Sequence, residues 1–454
     1  MAQTPPDELP LKKAIGFFSA VMLVLSGIVG AGIFTNPAIV ARSLADPTLQ
    51  LAAWGVGGVV ALLGAFVYAE LAARIPATGG DYAYLRDSYG PLPAFLNGWT
   101  LLLVVQTGGM AAVTIVLARN LDVLIGGGVD QRLLVVGILG LLAAVNIAGV
   151  VAGNETQTAL GVLKIGVIVA VIGAGFWVAA PHVTAAQSAG WRAGGVPLKS
   201  FGAAVIPVVF CYGGWQTANF VAGETRDARR TLAGALVAGV AMVIVIYMLV
   251  ALACVRGLGS GPLGRTLTPV ADLLHLAVGP LGARLAAAAV AVSAAGYMSQ
   301  AMLTAPRVYY AMARDGLFFQ RVGEVSRGTR APVLAILLQA GWTAVLALSG
   351  KYDELLSYTV GINYVFFGLS ASCLFVLRAR ERRPGATAVP AGFRVPGHPW
   401  TTLLFILASV VVIVATFWTA PAASLIGYGL MLLGVPPYLY WRSRSRRAAL
   451  AAAG

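Results

Sequence analysis

Residues 26–34 read Ser-Gly-Ile-Val-Gly-Ala-Gly-Ile-Phe and place Gly27, Gly30 and Gly32 inside a long apolar run. Glycine favours a break in a helix because it adopts backbone conformations that other residues avoid. In hydrocarbon, backbone that leaves the helix is tolerated only where it faces protein or a water-filled cavity. The stretch therefore predicts a ligand site at a broken membrane helix. The alternative is that the glycines only allow two membrane helices to pack closely.

Such a break would offer backbone groups of both signs. A half-helix that begins near Gly32 would direct free N–H groups and the positive end of its dipole at a carboxylate. The carbonyl groups left free near Ser26 and Gly27 suit a cation such as an ammonium group.

The composition indicates a polytopic, all-α membrane protein. Hydrophobic residues make up 59% of the 454 residues, charged residues make up 11%, and the mean hydropathy is +0.83. Soluble domains of this length are far less apolar. The three cysteines lie in apolar segments and the three histidines lie far apart, so we expect no disulfide framework, no metal site, no cofactor and no enzymatic activity.

Apolar runs of membrane-spanning length recur along the chain, and we predict twelve spans. They cover residues 14–41, 49–73, 94–118, 133–151, 157–178, 201–221, 232–255, 281–313, 333–349, 355–377, 401–418 and 423–441.

An even number of spans places both termini on one side of the membrane. Of the 31 Lys and Arg residues, 21 fall on that shared side and nine on the other. The positive-inside rule then places both termini in the cytoplasm, which makes this a multi-pass protein of the cytoplasmic membrane. Residues 1–13 are expected to be a retained tail rather than a signal peptide, and residues 443–454 a second tail. This topology explains the net charge of +14 without any nucleic-acid partner.

A second break is predicted in span six, at Phe210-Cys211-Tyr212-Gly213-Gly214-Trp215. Two five-span units, 14–178 and 201–378, would each open with an interrupted helix. An odd number of spans gives these units opposite orientations, and paired interruptions indicate an inverted-repeat transporter with a site at the bilayer midplane. The last two spans, in 400–442, would be peripheral.

Lys164 lies within an apolar stretch of span five. An ionisable residue at that depth is a functional-site hypothesis. The side chain could extend to the cytoplasmic interface, or its ammonium could occupy the place where a sodium-coupled relative holds a cation. The sequence does not separate a fixed charge from a proton carrier.

Glu70 and Glu224 end spans two and six on the cytoplasmic side. Glu70 precedes Arg74, and Glu224 precedes three arginines, so both carboxylates are expected to form ion pairs that position loops or act as gating latches. Among the aromatic residues of the second break, we predict that Phe210 is a gate over the substrate.

The chain resembles the amino acid/polyamine/organocation family, in particular the bacterial relatives of the L-type amino acid transporters. Segments that carry the resemblance are residues 30–34, 68–71, 79–85, 212–215, 220–224, 306–316 and 393–397, together with Lys164. The resemblance implies the LeuT-like fold of twelve transmembrane helices, with a five-plus-five inverted repeat, broken helices one and six, and alternating access to a central amino-acid site.

It also implies which residues bind substrate. They are Ser26, Gly27, Ile28, Val29, Gly30, Ala31 and Gly32 in the first break, and Phe210, Cys211, Tyr212, Gly213 and Gly214 in the second. Lys164 would take the sodium-site position, so sodium coupling is not expected. The family more often carries Ser at the position of Ala31 and an amide at that of Ser299, which leaves side-chain specificity open. The cysteine that joins animal relatives to a heavy chain has no match, and we expect no such partner.

We therefore predict a transporter of neutral amino acids that works as an exchanger or as a proton-coupled symporter. Neutral substrates are favoured because few acidic side chains line the predicted site. The alternatives are an antiporter of cationic amino acids or polyamines, a passive channel, and a sensor that binds amino acids without moving them.

Overall fold

The computed structural model describes residues 11–178, 198–349, 352–384 and 392–453. Within these ranges the secondary structure is helical, apart from one isolated backbone pairing between Ile15 and Thr225. The all-α prediction is confirmed for this part of the chain. Most of the predicted N-terminal tail, residues 1–10, lies outside the described residues, as do His182 and Lys351.

The first half of the chain supplies eight α-helices. They are α1 (Phe17–Ile28), α2 (Asn36–Ser43), α3 (Pro47–Arg74), α4 (Asp81–Tyr89), α5 (Pro91–Thr100), α6 (Gln106–Ile125), α7 (Gln131–Ile147) and α8 (Val150–Trp177). A 3-10 turn at Gly32–Phe34 precedes α2, and a π-helical segment at Leu101–Val105 joins α5 to α6.

The second half begins with a helix that a 3-10 segment, Trp215–Glu224, continues after an interruption. Its α-helices are α9 (Leu198–Cys211), α10 (Ala228–Leu258), α11 (Ser260–Arg265), α12 (Pro269–Val278), α13 (Leu281–Thr304), α14 (Pro306–Arg314), α15 (Val333–Leu348), α16 (Tyr352–Glu381), α17 (Trp400–Thr419), α18 (Pro421–Leu432) and α19 (Val435–Ala453).

Eight helical stretches among the described residues are long and apolar enough to cross a membrane. The other four predicted spans coincide with shorter helices: α1 with α2, α7, α9 with the following 3-10 segment, and α15. Helices α11 and α12 were not predicted, because residues 256–280 have mixed polarity and read as a loop between two long apolar runs.

Helix α1 lies at the centre of the helix bundle, where it packs against α8, α10 and α13. Small residues allow this close packing: a Cβ atom at Gly239 of α10 would lie 2.6 Å from a methyl carbon of Val24, and one at Gly161 of α8 would lie 3.1 Å from Ser26 Oγ. The first break is therefore enclosed by three long helices, and α9 packs alongside on α2 and α3.

Candidate functional site

The first break separates α1 from the 3-10 turn that begins at Gly32. Val29 has extended backbone (φ −77°, ψ 91°), and Gly30 N–H donates to Ile28 O at 2.9 Å. The N–H groups of Ala31 and Gly32 donate to no atom within the described ranges. The N–H groups of Ala31 and Gly32, near the predicted start of the half-helix, are thus available to a carboxylate, whereas that of Gly30 already has an acceptor.

The second break follows α9 and closes through its own hydrogen bonds. Gly213 N–H donates to Phe210 O at 3.0 Å, and Gly214 N–H donates to Gln216 Oε1 at 3.1 Å. Gly214 has a φ of +109°, a conformation that only glycine adopts readily. Thr217 Oγ1 donates to Gly214 O at 2.6 Å and completes the turn.

The two breaks touch each other. A Cβ atom built on Gly214 would lie 2.1 Å from Gly27 O, and one built on Gly27 would lie 2.7 Å from Gly214 O. The hydroxyl of Tyr247, from α10, lies 3.1 Å from Ile28 O and 3.4 Å from Cys211 O, so one side chain spans both interruptions. Sequence reasoning missed Tyr247, whose only signal is a polar group in an apolar helix.

Lys164 is 1% exposed and extends from α8 to the first break. Its Nζ donates to Val29 O at 2.5 Å and to Ser26 O at 3.4 Å. From α13, Ser293 Oγ donates to Gly30 O at 3.0 Å. A Cβ atom on Gly296 would lie 2.8 Å from Lys164 Cε, so this glycine makes room for the lysine. The lysine therefore extends into the protein and not toward the interface, with carbonyl oxygens as its partners.

The aromatic residues of the second break separate into two groups. Tyr212 and Trp215 are buried, whereas Phe210 is 48% exposed. Tyr212 packs against Tyr247, with ring centroids 4.9 Å apart, and against Trp54 at 6.1 Å. Tyr212 and Trp215 are therefore core residues, whereas Phe210 is the aromatic residue of this break with an exposed side chain.

Ion pairs join the two halves of the chain at one end of the bundle. Glu70 accepts hydrogen bonds from Arg74 at 2.8 Å, from Arg378 at 2.6 Å and from the N–H of Val395 at 2.6 Å. These contacts connect α3 to α16 and to the segment before α17.

The partner of Glu224 differs from the prediction. Its carboxylate receives two hydrogen bonds from the guanidinium of Arg307 in α14, at 2.8 and 2.9 Å, and both side chains are fully buried. The arginines that follow Glu224 in sequence do not pair with it. Glu224 O also accepts from the N–H groups of Ala14 and Ile15, which docks the start of α1 at the same place.

A third contact at this end involves the short helix α4. Asp315, after α14, accepts hydrogen bonds from Tyr82 Oη at 2.7 Å and from Arg86 at 2.8 Å. The buried Asp81 accepts from Ser370 Oγ at 2.8 Å. Burial raises the pKa of the Asp81 carboxyl to about 6.

Two interrupted helices in contact, with unpaired backbone N–H groups and a buried lysine on carbonyl oxygens, form a site suited to a small ligand with both charges. The family model described as amino acid permease matches residues 15–439. The chain belongs to the amino acid permease family. The resemblance inferred from the sequence is thus confirmed, together with the prediction of an amino-acid transporter in a membrane.

Relatives of this permease cover nearly its whole length. The serine/threonine exchanger SteT of Bacillus subtilis (strain 168) is 29% identical over 450 residues, which span 98% of this chain and 99% of the relative. The large neutral amino acids transporter small subunit 2 of Rattus norvegicus is 26% identical, over 96% of this chain and 82% of the relative. The Asc-type amino acid transporter 1 of Mus musculus is 28% identical, over 97% of this chain and 84% of the relative.

Proposed function

We propose that this permease exchanges small or apolar neutral amino acids by alternating access. The observation that carries the proposal is the contact between the two breaks, where Gly27 meets Gly214 and Tyr247 spans both. The N–H groups of Ala31 and Gly32 would receive the substrate carboxylate. Carbonyl groups of both breaks would receive its ammonium group, and Phe210 would close over the side chain.

The charges around the breaks favour a neutral substrate. Lys164 is the charged side chain whose hydrogen bonds reach the first break, and the described contacts of both breaks include no carboxylate. A second positive charge on the substrate would therefore have no counter-ion, which disfavours cationic amino acids and polyamines. The serine/threonine, large neutral and Asc-type relatives support the same substrate class. Lys164 serves as a fixed stand-in for sodium, so exchange is sodium-independent.

The membrane arrangement we propose has twelve spans in the cytoplasmic membrane, with both termini in the cytoplasm. Residues 14–178 and 201–378 form the inverted repeats, residues 400–442 add the last two spans, and residues 443–454 form the C-terminal tail. The distribution of Lys and Arg supports this orientation.

The paired carboxylates belong to the gating step. With Glu70 held by Arg378 and Glu224 held by Arg307, the proposed cytoplasmic end is closed. Phe210 is half-exposed, which fits a site that is open toward the opposite side. Transport would require these ion pairs to part as α1 and its neighbours tilt.

We propose that the permease works without a heavy-chain subunit. The three cysteines are buried, and none lies in the described segment 126–130 between α6 and α7. A disulfide to a partner at that loop is therefore impossible.

Proton-linked symport is the second candidate, and Asp81 is the observation that favours it. Its carboxyl is buried at the closed end between α4 and α16, and its pKa of about 6 allows protonation near physiological pH. Release of the proton as this end opens would link a proton to the transport cycle.

The test is uptake of radiolabelled serine, threonine, leucine and arginine into proteoliposomes that contain the full chain. Vesicles are loaded with or without unlabelled serine, and each is measured with and without an inward proton gradient. Protein-free vesicles and a saturation curve exclude a leak or a channel.

An exchanger takes up neutral amino acids only into preloaded vesicles and does so with saturation. Uptake that is driven by the proton gradient alone, and that is lost in Asp81→Asn, would show that the permease is a proton symporter and not an exchanger. Arginine uptake equal to that of the neutral amino acids contradicts the proposed substrate class. Binding of amino acids without uptake under any condition would indicate a sensor.

A further inference from the structure

A groove of about 690 Å³ lies between the loop after α14, the start of α15 and the middle of α19. Its position coincides with the end of the bundle that carries the basic loops and tail. None of its lining residues belongs to α1, to α9 or to either break, so the proposed substrate site does not include it.

The floor of the groove is apolar and aromatic. Phe318 and Trp441 are buried, with ring centroids 5.5 Å apart, and Phe319 meets Trp441 edge-on at 5.2 Å. Leu334 and Leu337, from the first two turns of α15, are 42% and 48% exposed and continue the apolar surface along that helix. Because α15 coincides with a predicted span, this surface would extend from the bundle end toward the hydrocarbon.

The rim of the groove is basic. Arg321, from the 3-10 segment Gln320–Gly323, and Arg444, from α19, both line it, and neither forms an ion pair with any residue that the structure describes. Ser445 Oγ donates to Gly316 O at 2.7 Å, which joins α19 to the loop after α14 beside the groove. Glu324, the nearest carboxylate in sequence, is not part of the lining.

We propose that this groove binds an anionic phospholipid, with its headgroup phosphate between Arg321 and Arg444 and an acyl chain along Leu334 and Leu337. Charge complementarity selects the occupant: two unpaired guanidinium groups above an apolar, membrane-level surface match a lipid that joins a phosphate to a hydrocarbon chain. The proposal rests on the cytoplasmic orientation given above, since anionic lipid headgroups face basic residues at that interface.

The test uses brominated lipids, because bromine on an acyl chain quenches the fluorescence of a nearby tryptophan and Trp441 lines the groove. The purified full chain in detergent is titrated with brominated phosphatidylglycerol and, separately, with brominated phosphatidylcholine. The titrations are repeated with Trp441→Phe, with the double variant R321Q/R444Q, and with R382Q/R383Q, which removes two exposed arginines after α16.

We expect brominated phosphatidylglycerol to quench a component of the tryptophan fluorescence that brominated phosphatidylcholine does not quench. This component should be absent in Trp441→Phe. R321Q/R444Q should weaken this binding by roughly 30-fold, the effect of two basic residues at an anionic surface, while R382Q/R383Q binds as the wild type does. Glycerol phosphate, which has no acyl chain, should not compete.

Equal quenching by both lipids, or unchanged binding in R321Q/R444Q, would overturn the proposal. Competition by glycerol phosphate would indicate a site for free phosphate instead. A change of oligomeric mass in R321Q/R444Q, without lipid-specific quenching, would assign the groove to a second copy of the chain. Since the readout is fluorescence, failure here leaves the uptake experiment, and with it the transport proposal, unaffected.

Discussion

The two breaks look alike in sequence but are stabilised differently. At the first break, carbonyl oxygens accept hydrogen bonds from Lys164 of α8, Tyr247 of α10 and Ser293 of α13. At the second break, most hydrogen bonds stay within the turn between Phe210 and Thr217. The first break is thus connected to three surrounding helices. The second is held mainly by its own turn, with two donors from outside it: Tyr247 of α10, to Cys211 O, and Gln300 of α13, to Thr217 Oγ1.

This difference suggests that the two breaks have different roles in transport. A backbone segment bound by side chains of three helices responds to the positions of those helices, because any movement of them changes its hydrogen bonds. A self-contained turn keeps its shape while its helix moves as a body. We infer that the first break couples substrate binding to helix movement and that the second offers a fixed binding surface.

The largest effect is expected from Gly214→Ala, which would disrupt the turn of the second break. The added Cβ atom would meet Gly27 O, and alanine strongly disfavours a φ of +109°. We expect a loss of roughly 3 kcal/mol or more in stability, seen as aggregation in detergent size-exclusion chromatography. Gly202→Ala in α9 is the control, since a Cβ atom there meets nothing within 4 Å. A well-folded, active Gly214→Ala protein would show that this turn is not rigid.

Lys164→Met is expected to abolish uptake, by at least about 100-fold, while the protein stays folded. It removes the ammonium group from Ser26 O and Val29 O, so the first break loses its charged partner. Uptake and size-exclusion profiles are compared with those of Leu163→Met, an exposed neighbour on the same helix. Wild-type uptake by Lys164→Met would contradict a coupling role for the first break.

Several of these features could be predicted from the sequence, because they are local. Clustered glycines in apolar runs indicated both interruptions, and a lysine in a membrane span indicated a partner at the break. The apolar runs gave most boundaries of the long helices within about four residues, but α6 ends seven residues after its predicted span, at Ile125, and α8 begins seven residues before its predicted span, at Val150. The assignment of Phe210 as a gate remains a prediction, although its exposure distinguishes it from Tyr212 and Trp215.

Features that depend on distant contacts could not be predicted. Glu224 pairs with Arg307, 83 residues further along the chain, rather than with the arginines beside it. Tyr247 and Ser293 look like ordinary residues of apolar helices, and their role appears only when α10 and α13 pack on α1. A sequence states which groups need partners, whereas the packing of helices decides which partners they receive.

Tyr247→Phe tests the one side chain that joins the two breaks. Loss of its hydroxyl leaves Ile28 O and Cys211 O without this donor, at a cost of about 1 kcal/mol. We expect uptake to fall about fivefold, the rate equivalent of a loss of that size. Tyr309→Phe is the control, because the buried Tyr309 hydroxyl has no hydrogen-bond partner among the residues that the structure describes. Equal losses in both variants would indicate a general packing effect and not a link between the breaks.

The smallest effect is expected from Ser293→Ala. Gly30 O would lose its donor from α13, but Lys164 would still hold Val29 O. We expect a loss of about 0.5–1 kcal/mol in stability, measured as a lower melting temperature, and uptake within about threefold of wild type. Ser299→Ala, on the same helix, removes a buried hydroxyl that has no partner within the described part of the chain and should leave the melting temperature nearly unchanged.

The double variant Tyr247→Phe/Ser293→Ala then tests whether the hydrogen bonds that surrounding helices make to the first break act together. Tyr247 and Ser293 approach neighbouring carbonyl groups from different helices and share no direct hydrogen bond. If the segment responds as one unit, their effects on uptake exceed the product of the single effects, because neighbouring sites couple through shared backbone. Independent effects would mean that each helix is sensed separately. If neither single variant changed uptake, the side chains around the first break would not matter for transport. The proposed difference in role between the two breaks would then be wrong.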